Sequence, residues 1–221
     1  MLIAGIDEAG RGPCFGPMAI SVAVMETETE KELKALGVKD SKQVLAAKRT
    51  KLEKEIKRAA KEYKTLIIEP LEINDLMARE SLNEIEAMKI AELINGLKSA
   101  PEKIFIDSPD ATAGRFEKRI RKYLHKGKIH IKIIAENKAD VNYVVAGAAS
   151  ILAKVARDRE IEKMQKKFGD FGSGYPADPK TQKFLREYVK EHKKLPPFSR
   201  IFWSTCTTAL EGMNTEQQKL F

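Results

Sequence analysis

The stretch Leu2-Ile-Ala-Gly-Ile-Asp-Glu-Ala-Gly-Arg-Gly-Pro13 decides the fold. Residues 2–7 are apolar and β-branched and read as a strand, the Gly/Pro-rich residues 10–16 as a turn, and residues 17–25 as a second strand, giving a hairpin-like start. The first strand runs into an acidic pair, Asp7-Glu8. A later apolar run, Ile104-Phe-Ile106, runs in the same way into Asp107. If these two strands are parallel neighbours, their acids emerge together at the carboxyl edge of the sheet, where open α/β folds place their ligands.

Working outward, residues 46–63 read as an exposed helix with Leu52, Ile56, Ala59 and Ala60 turned inward, and residues 65–69 as a third strand. Ser81-Leu-Asn-Glu84 is a capping box opening a helix to about residue 97. Residues 103–107 and 129–135 form two more strands around a basic helix at 114–124. Residues 141–166 form a long helix whose first half, Val144-Val-Ala-Gly-Ala-Ala-Ser-Ile-Leu-Ala153, is built of small side chains that let its backbone approach the sheet closely. After the loop at 169–176, Asp178-Pro179 supplies an N-cap and an N1 proline for a helix to about residue 192. Leu195-Pro-Pro197 introduces a final helical or extended piece through Trp203, and residues 214–221 read as a polar tail ending in an apolar pair. The class is α/β, with an opening antiparallel pair and a helical C-terminal lobe.

The chain has 221 residues, a formal net charge of +8 and 43% hydrophobic residues, so it can bury an ordinary core, and disordered and low-complexity classes are excluded. The longest uncharged stretches, 12–25 and 141–153, are shorter than the roughly 18 residues a membrane helix needs. With no signal-like N-terminus and only Cys14 and Cys206, a reducing cytoplasm is the expected setting and the thiols are expected to be buried. The basic excess is clustered. Residues 113–138 carry nine basic side chains against Glu117 and Glu136, and residues 180–200 carry seven against Glu187 and Glu191. Such a field suits a polyanion partner; the competing reading is a solvated Lys/Glu-rich surface.

Acids gathered at a strand edge without His or Cys favour Mg²⁺ or Mn²⁺ over zinc. His125, His130 and His192 lack ligand spacing and read as surface residues. Asp140, ahead of the small-residue helix, is either an N-cap or a further acid of the cluster. Gly10, Gly12 and Gly16 do not have the spacing of a dinucleotide fingerprint, and there is no P-loop. The turn can instead present backbone amides and Arg11 to a phosphodiester or a sugar hydroxyl.

Asp7-Glu-Ala-Gly-Arg-Gly-Pro13, Asp40-Ser-Lys42, Ile106-Asp-Ser108, Lys138-Ala-Asp140, Ala148-Ala-Ser-Ile-Leu-Ala-Lys154 and Gly172-Ser-Gly-Tyr-Pro176, in this order, resemble ribonuclease HII in its archaeal form over roughly residues 2–205. The resemblance implies a ribonuclease H-like fold, with a mixed five-stranded sheet flanked by helices. It divides the chain into a catalytic domain (1–170), a helical substrate-binding lobe (171–213) and a tail (214–221). It implies an endonuclease that cuts the RNA strand of RNA–DNA hybrids and nicks 5′ of single ribonucleotides in duplex DNA, leaving 5′-phosphate and 3′-hydroxyl ends by two-metal catalysis with Mg²⁺ or Mn²⁺. Asp7, Glu8, Asp107 and Asp140 would be the metal-binding acids. Gly10, Arg11 and Gly12 would read the 2′-hydroxyl, Tyr175 would stack on the neighbouring deoxyribose, and Lys42, Ser150 and Lys154 would hold flanking phosphates.

Relatives often carry a basic pair before the tryptophan where this chain has Ser199-Arg-Ile-Phe-Trp203, so the duplex contacts of the last lobe are left open. The tail Gln217-Gln-Lys-Leu-Phe221 resembles a shortened sliding-clamp (PCNA) peptide, with Gln217, Leu220 and Phe221 as its docking residues. The expected state is a monomer. Two alternatives remain at this stage: a non-catalytic nucleic-acid-binding protein, and another ribonuclease H-fold nuclease such as a DNA junction resolvase.

Overall fold

The structure, a computed structural model, describes residues 1–38, 41, 44–110, 112 and 114–218, with side chains as far as residue 212. Strands β1 (Leu2–Ala9), β2 (Met18–Glu26), β3 (Glu62–Ile68), β4 (Lys103–Asp107) and β5 (Lys132–Glu136) form one sheet in the order β3-β2-β1-β4-β5. β1 pairs antiparallel with β2 and parallel with β4, which is itself parallel to β5. The sheet is therefore the expected mixed five-stranded one, with the opening hairpin and the two acid-ending strands as neighbours. All of β2 except Glu26 is buried, so both of its faces are covered.

The helices are α1 (Thr29–Leu36), α2 (Ala46–Ala59), α3 (Pro70–Met77), α4 (Leu82–Asn95), α5 (Arg115–Arg121), α6 (Ala139–Asn142), α7 (Val144–Phe168), α8 (Pro179–His192) and α9 (Ser204–Gln218). The Ser81 hydroxyl caps α4 by accepting from the Glu84 N–H at 3.3 Å. The Glu84 side chain does not complete the box; it binds α5 instead. The Asp178 carboxylate caps α8, accepting from the Lys180 N–H at 2.9 Å. α9 continues into the segment read from sequence as tail, and α1 and α3 have no counterpart in the sequence reading. Among the described residues, no helix is long and apolar enough to cross a membrane.

The chain forms two compact units. The first comprises residues 1–9, 19–67 and 81–156. Its core packs Ile3, Ala23 and Met25 of the sheet against Leu52 and Ile56 of α2 and against Val145, Ala148, Ile151 and Leu152 of α7. The second comprises residues 10–18, 68–80 and 157–221, with Phe15 and Phe171 fully buried among Phe184, Leu185, Val189 and Phe198. The ring of Phe15 meets those of Phe171 and Phe198 edge-on at 5.8 and 5.3 Å, a geometry that adds to the area these rings bury. Both thiols are buried, as expected.

Candidate active site

In the first unit the acids are delivered by strand ends. β1 and β4 run in register, Ile6 beside Ile106, so Asp7 and Asp107 follow at the same level. Asp7, Glu8 and Asp107 each offer a carboxylate oxygen, and these oxygens lie within 4.8 Å of one another. Asp140 is buried in the first turn of α6, outside that trio but close enough for its charge to act on Asp7. The helix-cap reading of Asp140 is not what the structure shows. Asp107 Oδ1 accepts from the Ala139 N–H at 2.9 Å, and the N-cap position belongs to Lys138, held at φ 62°. A left-handed lysine is a strained element beside the cluster.

Burial lifts the Asp7 carboxyl well above the ordinary carboxylate range. The charges of Glu8, Asp107 and Asp140 push the same way, and a hydrogen bond with Ser150 opposes them. Like charges held this close favour uptake of a proton or a cation. The donors are all oxygens, which suits a hard divalent ion. Ser150 also lies 2.9 Å from the Ser41 hydroxyl, so α7 contributes directly to the ordering of Asp7.

Gly5 permits this approach. A methyl group there would fall closer than 3.0 Å to the Val145 carbonyl and the Ala146 amide nitrogen of α7. The sequence reading found the small-residue face of α7 and missed its counterpart on β1, although a glycine inside a strand signals close backbone approach.

The second unit holds the glycine turn. Gly10 has φ 85°, and a Cβ there would lie 2.8 Å from the Pro17 carbonyl oxygen, so only glycine fits. Tyr175 is exposed beside the turn; a Cβ on Gly12 would come 3.4 Å from its ring. The Arg157 guanidinium lies 5.7 Å from the Tyr175 ring centroid and donates to the Ser173 carbonyl at 3.0 Å.

Arg200, fully buried, donates to the carbonyls of Gly16 (2.9 Å), Arg11 (3.0 Å) and Gly10 (2.6 Å). Burial lowers its pKa to about 9, and the nearby Arg157 charge adds to the effect, so it remains charged near neutrality. Trp203 Nε1 donates to the Gly12 carbonyl at 3.0 Å, and the Arg200 guanidinium lies 4.9 Å from the Trp203 ring. The sequence reading counted Arg200 in a basic surface run and gave Arg157 and Trp203 no role at the turn.

The charge of the basic helix α5 and its C-cap is neutralised in part. Arg119 pairs with both Glu84 and Asp110, Lys122 with Glu84 at 3.1 Å, and Arg121 with Glu117 at 2.8 Å. The three histidines are exposed. Lys42, Leu220 and Phe221 lie outside the described residues, as does the side chain of Gln217, whose backbone belongs to α9.

The family model described as Ribonuclease HII matches residues 4–206. A ribonuclease HII of Pyrococcus abyssi is 46% identical over 220 residues, covering 100% of this chain and 96% of the relative. The crystal structure of the ribonuclease H2 from Pyrococcus horikoshii superposes with a TM-score of 0.89 at 43% identity, over 97% of this chain and 99% of that one. The structure of a PCNA:RNase HII complex from Archaeoglobus fulgidus matches with a TM-score of 0.82 at 38% identity, over 92% and 96% of the two chains.

Proposed function

The chain belongs to the ribonuclease HII family, a family of endonucleases, and from that membership we propose that it hydrolyses the RNA strand of RNA–DNA hybrids and nicks duplex DNA on the 5′ side of a single embedded ribonucleotide. The observation that carries this reading is the trio Asp7, Glu8 and Asp107, with oxygens within 4.8 Å and Asp7 raised by burial and by its acidic neighbours. With Asp140 they would hold Mg²⁺ or Mn²⁺. Bound there, such ions would supply an ionised water near neutrality and stabilisation of charge on the departing 3′-oxygen, consistent with 5′-phosphate and 3′-hydroxyl ends.

The protein's own groups then have distinct tasks. Ser150 would order the Asp7 carboxyl, and the Ala139 N–H would fix the Asp107 carboxylate through its Oδ1. Gly10, Arg11 and Gly12, which begin two residues after Glu8 in the chain, would read the 2′-hydroxyl, the group that separates RNA from DNA. Tyr175, exposed beside Gly12, would stack on the adjoining deoxyribose. Lys42 and Lys154 would hold flanking phosphates, whereas Ser150, expected to join them, is buried against Ser41 and Asp7 and would act on that carboxyl instead; residues 171–213 would serve as the substrate-binding lobe, and residues 214–221 would dock on a sliding clamp. The PCNA complex of the Archaeoglobus fulgidus relative supports clamp binding as such; the tail is assigned to it by its Gln217, Leu220 and Phe221 pattern.

The test is the pattern of cuts on a labelled duplex carrying one ribonucleotide, set against the all-DNA duplex, with and without Mg²⁺. A single Mg²⁺-dependent nick 5′ of the ribonucleotide is expected. Equal cutting of the all-DNA duplex would point to a DNA nuclease of the same fold, and metal-independent binding without cutting to a non-catalytic binder.

A further inference from the structure

We propose that Arg200, acting with Trp203, is the positioning residue that gives the glycine turn its ribose-reading shape, an inference that rests on the role given above to Gly10, Arg11 and Gly12. The geometry is unusual for a charged side chain. Arg200 is fully buried, and among the described residues no carboxylate pairs with it. Its guanidinium hydrogen bonds all go to turn carbonyls, those of Gly10, Arg11 and Gly16. Its own backbone N–H donates to the Cys14 carbonyl at 2.8 Å. Trp203, stacked on the guanidinium, takes the Gly12 carbonyl.

Five carbonyls of a seven-residue turn are thus drawn towards one anchor. In the same stretch no hydrogen bond of the described residues engages the amides of Gly10 and Gly12, which leaves them to a ligand. A buried, uncompensated cation is costly. Anchoring by a planar fork explains its presence, because a lysine in its place offers a single point and could not hold three divergent carbonyls. Gly10 and Gly16, both at positive φ, let the chain turn its carbonyls in this way.

The experiment compares the wild type, Arg200→Lys and Trp203→Phe on two duplexes that differ only in one 2′-hydroxyl, and follows hydrogen exchange of residues 10–16 by mass spectrometry. In Arg200→Lys, kcat/KM on the ribonucleotide duplex should fall by about 10- to 100-fold, through kcat, with KM for the duplex little changed. The rate on the all-DNA duplex should not fall with it, so discrimination shrinks. Exchange across residues 10–16 should quicken while the peptides of β1 and β4 keep their protection, and Mn²⁺ should raise the melting temperature of variant and wild type alike.

Trp203→Phe keeps a smaller aromatic ring beside the guanidinium and loses the donor to Gly12; it should move in the same direction by a smaller factor, and it decides the matter if Arg200→Lys does not fold. A lower melting temperature with unchanged discrimination and unchanged exchange in residues 10–16 would overturn the proposal. If the wild type itself shows no preference for the ribonucleotide duplex, the functional reading falls, while the exchange data still decide whether Arg200 holds the turn.

Discussion

Replacing Gly5 with alanine adds one methyl group and should damage both fold and chemistry. The added carbon would sit closer than 3.0 Å to backbone atoms of Val145 and Ala146, whereas ordinary contact begins at 3.4 Å, so α7 and β1 must separate by more than 0.4 Å. The obstructing atoms are backbone and no rotamer change relieves the clash, which places the cost near the top of the overpacking range, about 3 kcal/mol. For a chain of this length that corresponds to a fall in melting temperature of roughly 6–12 °C. The separation also moves Ser150 away from Asp7, and a displacement of that order at a reacting centre should lower kcat by about tenfold or more. Calorimetry gives the first number, and single-turnover cleavage well below the melting temperature gives the second. A variant melting within about 2 °C of the wild type and cutting at its rate would refute the claim that close approach of α7 to β1 builds the site.

Two further outcomes follow from the charged groups. Glu84 accepts from the Tyr123 hydroxyl and binds Arg119 and Lys122, and its carboxyl is lowered to about 2. A carboxyl lowered on folding contributes stability above its unfolded value of about 4.3 and loses it as pH falls through the folded value. Glu84→Gln should therefore cost about 2 kcal/mol at neutral pH, with the gap to wild type closing as pH falls from about 4.3 towards about 2 in denaturant melts; a gap independent of pH would contradict this.

Asp7→Asn keeps the shape that accepts the Glu8 N–H at 2.7 Å and removes one like charge from the cluster. It should stabilise the metal-free protein by about 0.5–2 kcal/mol and sharply reduce the melting-temperature rise on adding Mn²⁺, which for the wild type at a hundredfold excess over Kd should correspond to about 2.7 kcal/mol. A destabilised Asp7→Asn variant with an undiminished Mn²⁺ response would show that the acids do not form a strained cation site.

Much of the sheet was legible because its signals are local. Apolar runs ending in Asp7 and Asp107 marked two strands and their common edge, and the small residues of α7 marked a buried helix. The Ser81 and Asp178 caps were readable for the same reason, each bonding within three residues. What escaped depended on partners distant in sequence. Arg200 looked like one more charge in a basic run because the carbonyls it serves lie 184 to 190 residues away. The excess charge of α5 looked available until Glu84 and Asp110, brought in from elsewhere in the fold, neutralised part of it. Asp140 carried a cap preference, a local statistic that the family resemblance already set against its place among the acids; the structure puts it inside the first turn of α6, after an N-cap at Lys138.

The central claim, that these acids hold the cations which cut the strand, is tested most directly by Asp107→Asn assayed with Mg²⁺ and with Mn²⁺ on a duplex containing one ribonucleotide, with duplex binding measured in parallel. The account predicts that the nick disappears with either metal while affinity for the duplex is retained. Cleavage by this variant at the wild-type rate and position would contradict it.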